Sequence, residues 1–87
     1  MDALSDPVRV TIVRALAADG EIACGTLELG VSPATRSHHF RVLREAGITH
    51  TRPSGTHRYV SLRRAELDER FPGLLAAVLA AAEREAR

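Results

Sequence analysis

The chain has 87 residues, 45% of them apolar and 26% charged, with a formal net charge of +1. This length excludes a second folded domain, predicts a single soluble domain over residues 1–87, and favours a partner subunit, because small folds bury a smaller share of their surface. One cysteine, Cys24, excludes an intrachain disulfide, and neither a signal-peptide pattern nor about 18 uninterrupted apolar residues is present, so the cytoplasm is expected, without export or membrane insertion.

Ser5-Asp6-Pro7 reads as a helix start: Ser5 or Asp6 accepts from free backbone amides, and Pro7 sits where no amide donor is needed. The helix is predicted to run to about Ala18, burying Val8, Ile12, Ala15 and Leu16 on one face with Val13 beside them. Asp19-Gly20 supplies the stop, and Arg9 and Arg14 flank the apolar stripe as solvated side chains. Glu21 to Leu29, with Ile22, Ala23, Leu27 and Leu29 as its apolar residues and Gly25 interrupting it, reads as a short helix ended by Gly30.

Val31 to Ala46 carries the clearest helical pattern. Ser32 caps it, Pro33 takes the first helical position, Val31 staples the start and Gly47 closes the end. Phe40 and Leu43 define the inner face, while Ala34, His38, Arg41 and Glu45 fall opposite, with Ser37 beside them. His39 is expected half-buried and hydrogen-bonded, and His38 outward. Arg36 falls on the inner side with Phe40, where its guanidinium must either reach the surface or pair with an acid on a neighbouring helix.

Ile48–Arg52 and His57–Leu62 are β-rich and separated by the turn composition Pro53-Ser54-Gly55-Thr56, which predicts a two-stranded hairpin with Arg52, His57 and Arg58 near its tip. Arg63 to Phe71 is expected to make a helical turn or two. A last helix over about 72–86 presents Leu74, Leu75, Val78, Leu79 and Ala82 as one stripe, flanked by alanines that permit close helix approach.

The small net charge hides a segregation. Residues 31–64 hold seven arginines (Arg36, Arg41, Arg44, Arg52, Arg58, Arg63 and Arg64) against Glu45 alone, a local charge of +6, and the remainder carries −5. A basic block of this kind is the footprint of a polyanion partner. The element order, mainly α with a two-stranded β-hairpin, is that of a winged helix-turn-helix, in which the second helix of the pair enters a groove about 12 Å wide and the hairpin reaches along the backbone.

The stretch from Ser32 to Gly47, Ser-Pro-Ala-Thr-Arg-Ser-His-His-Phe-Arg-Val-Leu-Arg-Glu-Ala-Gly, resembles the recognition segment of ArsR/SmtB-type bacterial transcriptional repressors. Leu4-Ser-Asp-Pro-Val-Arg-Val-Thr-Ile-Val-Arg-Ala-Leu16 is similar to the family's opening helix, written around Asp-Pro-x-Arg. Arg52-Pro-Ser-Gly-Thr-His-Arg-Tyr-Val-Ser-Leu62 is similar to its wing, with a Gly tip and a Tyr-x-x-Leu return strand. The resemblance spans residues 4–62 and implies a homodimer that binds a palindromic operator in double-stranded DNA, represses transcription and lets go when an inducer binds. Ser37, His38 and Arg41 match positions that face DNA in that family, and Arg58 lies in the wing. With Ser32, Ala34, Thr35, Arg52 and His57 they form the expected DNA-binding set, and Leu74, Leu75, Val78, Leu79 and Ala82 the expected dimer surface. Arg36 departs from the pattern, which usually has a small apolar residue there.

Members of that family sense metals through two cysteines one residue apart, or through His and acidic ligands on the last helix. Cys24 stands alone before Gly25, and the C-terminal segment has Asp68, Glu69, Glu83 and Glu85 but no histidine, so no transition-metal site and no cofactor are expected. The inducer is then an unknown small molecule or a redox signal, with two Cys24 copies meeting across a dimer as one route and an inert Cys24 as the other. No catalytic triad, phosphate-cradling glycine loop or open metal site is present, so an enzyme is not expected. The alternative function is a winged-helix protein-interaction scaffold that no longer binds DNA. The +6 block argues against it.

Overall fold

The computed structural model describes residues 2–85, and the side chains of Asp2, Ala82 and Glu85 lie outside that description. After a 3-10 turn at Asp2–Leu4, helix α1 spans Pro7–Asp19. Of the two possible caps, Asp6 fills the role: its Oδ1 accepts from the amides of Val8 at 2.8 Å and Arg9 at 3.3 Å, with Pro7 in the first turn. At the other end Gly20 has φ +86° and donates its amide to Leu16 at 2.8 Å, a backbone shape that a Cβ would strain. Ile12, Val13 and Leu16 are fully buried and form the middle of the core.

The segment after α1 differs from its sequence reading. Glu21–Ala23 is a strand, β1, followed by a single 3-10 turn at Cys24–Thr26 and an irregular stretch to Ser32. A three-residue strand has no measurable period, and its apolar residues serve pairing rather than a helical face. Helix α2 follows at Pro33–Glu45, with Ser32 as cap: the Ser32 hydroxyl accepts from the Thr35 amide at 3.2 Å. His39, Phe40 and Leu43 are its buried residues.

Strands β2 (Thr49–Ser54) and β3 (His57–Leu62) are joined by the two-residue turn Gly55-Thr56, so β2 reaches two residues further than its apolar pattern suggested. Strand β1 pairs with the free edge of β3, giving an antiparallel sheet of order β1-β3-β2 rather than a bare hairpin. Its register sets Ile22 and Thr51 on either side of Val60, and Ala23 and Arg52 on either side of Tyr59. Val60 is 1% exposed and Tyr59 half-exposed, so the Val60 side faces the core and the Tyr59 side faces away.

Helices α3 (Arg64–Arg70) and α4 (Leu74–Glu85) complete the described residues. Leu67 and Leu75 enter the core and Leu79 packs against it, with α4 lying along α1. The stripe expected on the last helix is thereby split. Leu75 and Leu79 serve the chain's own core, Leu74 and Val78 are half-buried outside that cluster, and Ala82 lies outside the described side chains. Four helices and a three-stranded antiparallel sheet in this order form a winged helix-turn-helix. Among the described residues no helix is long and apolar enough to cross a membrane.

Candidate nucleic-acid interface

Amphipathicity fixes which side of α2 is available. With His39, Phe40 and Leu43 turned inward, Ala34, Ser37, His38, Arg41 and Arg44 are exposed. Arg41 Nη2 lies 3.2 Å from His38 Nδ1, one helical turn away. A guanidinium only donates, so the His38 ring accepts through Nδ1 and carries its proton on Nε2, which is left as a donor. Ser32 and Thr35 are exposed at the helix start and joined by a 2.9 Å bond from the Ser32 hydroxyl to Thr35 Oγ1, so they hold the cap together.

Between α2 and the sheet lies a concavity of about 370 Å³. Ala34, Ser37, His38 and Arg41 line it from α2, and Thr51 and Arg58 from β2 and β3. Arg58 reaches it because it sits two residues before the buried Val60 and therefore shares the inward side of β3. Arg41 and Arg58 thus converge, which ties the outward face of the helix to the wing. Arg36, Arg44, Phe40 and Cys24 line the same concavity and were not in the expected DNA-binding set. Arg44 had a readable signal, since Ser37, Arg41 and Arg44 follow one another at helical spacings of four and three. Among the described residues Arg36 pairs with no acid, and it does not disappear into the core; it is half-buried and opens into this space.

Arg52 and His57 fall elsewhere. Arg52 is opposite Tyr59, on the side of the sheet turned away from α2, and His57 shares that side by alternation. The Arg52 guanidinium donates to Glu21 at 2.7 and 3.3 Å and stands 4.9 Å over the Tyr59 ring, and the His57 ring lies 6.2 Å from Tyr59. The hydrogen bonds from Arg52 hold the Glu21 carboxyl below its ordinary value, and Glu21 in turn holds the Arg52 cation up.

Charge in the concavity has one sign. Among the described residues none that lines it is an Asp or Glu, and the ion pairs, Arg52–Glu21 and Arg63–Glu66, use none of its arginines. Burial pushes the Cys24 thiol above its ordinary value, outweighing the nearby cations of Arg58, Arg36 and Arg44. Among the described residues no group of three or more His, Cys, Asp or Glu stands in a metal-ligating cluster.

Known proteins resemble this chain in sequence and fold. Residues 4–52 match the helix-turn-helix domain family. Over 76 residues, covering 84% of this chain and 76% of the relative, the sequence is 42% identical to the Uncharacterized HTH-type transcriptional regulator YceK of Bacillus subtilis (strain 168). The fold is similar to the crystal structure of M.tuberculosis Rv0081, with a TM-score of 0.66 and 27% identity over 92% of this chain and 85% of that one. The chain therefore belongs to the helix-turn-helix domain family, among the HTH-type transcriptional regulators.

Proposed function

We propose that the protein is a sequence-specific regulator of transcription that binds double-stranded DNA as a homodimer, a repressor of the ArsR/SmtB type acting on a palindromic operator. The observation that carries this reading is the convergence of Arg41 and Arg58 on one acid-free concavity beside the exposed polar face of α2. Each copy lays α2 in a major groove, with half-sites about 34 Å apart or a multiple of it. Ser37, His38 and Arg41 reach base edges, Ala34 leaves room for the groove floor, and Ser32 and Thr35 hold the helix start against the backbone. The Nε2–H of His38 suits a purine N7 or a guanine O6 acceptor, and Arg41 suits guanine in the same way. Arg58 takes phosphate from the wing. Arg52 and His57, on the far side of the sheet, contribute at the flank of the site, and Arg52 does so only by loosening its pair with Glu21.

Release follows a small-molecule or redox inducer rather than a resident transition metal, since the cysteine pair and the histidines that other members use have no counterpart here. Selection of bound duplexes from a random pool, followed by fluorescence anisotropy, tests the reading. Arg41→Ala and His38→Ala each weaken binding and relax base preference at one position, at a cost of about 1–3 kcal/mol. Arg58→Ala weakens all duplexes alike and lowers the salt slope by about one. Unchanged selectivity in both helix variants overturns the assignment of α2 as the reading element. A scaffold without DNA binding predicts no selected sequence at all, even at low salt.

A further inference from the structure

The concavity between α2 and the sheet runs from exposed to half-buried side chains. Its rim is exposed, with Ser37, His38 and Arg41, but Arg36 and Cys24 are half-buried and Phe40, only 8% exposed, closes one wall. Four guanidinia, Arg36, Arg41, Arg44 and Arg58, face this space with no carboxylate among them. Like charges gathered without counter-charge repel one another, and a cleft of one sign concentrates ions of the other. The guanidinium fork matches phosphate oxygens in pairs, and the hydroxyls of Ser37 and Thr51 add donors beside it. At about 370 Å³ the space is also the size of a small-ligand pocket, which spans about 300–1,000 Å³.

We propose that this concavity is a binding site for the phosphate group of a small phosphorylated molecule, and that its occupation excludes DNA from Arg41 and Arg58. The exclusion rests on the DNA-binding reading above; the site itself does not. A free phosphate can reach the half-buried Arg36 from beside the exposed Arg44, whereas the phosphates of a duplex are held to the rim by the sugar chain. Because Arg41 and Arg58 serve both ligands, the phosphorylated molecule acts as an inducer by competition and needs no change of fold.

Cys24 is the only cysteine of the chain and lines this space, so it serves as a reporter. The rate of its reaction with dithionitrobenzoate, a dianionic disulfide, is compared with that of the neutral dithiodipyridine. The thiolate attacks one sulfur, a mixed disulfide forms and an aromatic thiolate leaves. In the folded protein the anionic reagent should be favoured by about tenfold or more relative to the same ratio in denaturant. Arg36→Ala and Arg44→Ala should each lower that preference severalfold, and Arg36→Lys should restore most of it. Millimolar pyrophosphate should slow the anionic reagent more than sodium chloride at equal ionic strength, and should displace a selected duplex under the same conditions. If pyrophosphate does no more than chloride while duplex binding persists, the phosphate site is refuted and the DNA reading stands. Protection of Cys24 with the duplex still bound refutes the exclusion. Protection in a chain that binds no duplex leaves the phosphate site standing and removes the DNA reading.

Discussion

Arg9 of α1 bridges two parts of the fold: its Nη1 lies 3.3 Å from Nδ1 of His39 on α2, and its Nε donates to the carbonyl of Ala3 at 2.8 Å. His39 is 7% exposed, so this contact satisfies a ring that would otherwise be buried without a partner. The guanidinium donates and the imidazole accepts, which fixes the ring proton on Nε2. Arg9 is therefore a brace between α1, the chain start and α2 rather than the solvated flank of an apolar stripe. Arg9→Ala should destabilise the protein by about 1–3 kcal/mol, the cost of an unsatisfied buried polar group. A double-mutant cycle with His39→Phe should return a coupling of about 0.5–1.5 kcal/mol in urea unfolding. Strict additivity would show that the two side chains do not interact.

Thr49 is fully buried at the start of β2, and its Oγ1 has no hydrogen-bond partner among the described residues. Thr and Val are nearly isosteric, so Thr49→Val removes an unsatisfied hydroxyl without leaving a hole. The variant should be more stable by about 1 kcal/mol. A lower denaturation midpoint would mean that the hydroxyl is paired in solution.

Two carboxyls link stability to acid. Partial burial pushes the Asp6 carboxyl up, but the amides of Val8 and Arg9 and the charge of Arg9 outweigh it, so the group stays below its ordinary value; Glu21 is lowered by Arg52. A carboxyl held lower in the folded chain than in the unfolded one contributes stability that is present above the unfolded value. That contribution disappears as pH falls through the folded one. Thermal stability should therefore decline below about pH 4, where ordinary carboxylates begin to take up protons. Asp6→Asn keeps a capping oxygen and removes the titration, so its melting temperature should depend less on pH in that range. An identical acid profile in Asp6→Asn would exclude the cap as a source of the dependence.

Helices were legible in this sequence wherever local chemistry spoke twice. Asp6-Pro7 and Ser32-Pro33 supply a cap and a preset first residue, and the glycines at 20 and 47 take the positive φ that ends each helix. Strand β1 was not legible, because three residues carry no alternation and their partners on β3 lie 36 to 40 residues downstream in sequence. The separation of Arg52 from Arg58 was legible by alternation: a four-residue turn over Pro53-Ser54-Gly55-Thr56 pairs Arg52 with His57, the Gly55-Thr56 turn that forms pairs it with Tyr59, and both registers put Arg52 on the side away from Arg58. The converging arginines were half legible. The outward face of α2 followed from its period, but the placement of Arg36 and Cys24 in the same concavity depends on how the sheet packs beside the helix.

The last helix gives a test of dimerisation that separates folding from assembly. Leu75 is 7% exposed and belongs to the chain's own core, so Leu75→Glu buries a charge without a partner and should unfold the protein whatever its oligomeric state. Val78 is half-buried, outside that core and one turn from Leu74 on α4. In a monomer Val78→Glu should change stability by no more than about 0.5 kcal/mol, as surface substitutions do. In the proposed homodimer the same change sets two carboxylates against each other across paired α4 helices. Sedimentation equilibrium should then show a folded monomer that still melts cooperatively but has lost the concentration dependence of its melting temperature. A Val78→Glu chain that remains dimeric would move the interface off α4.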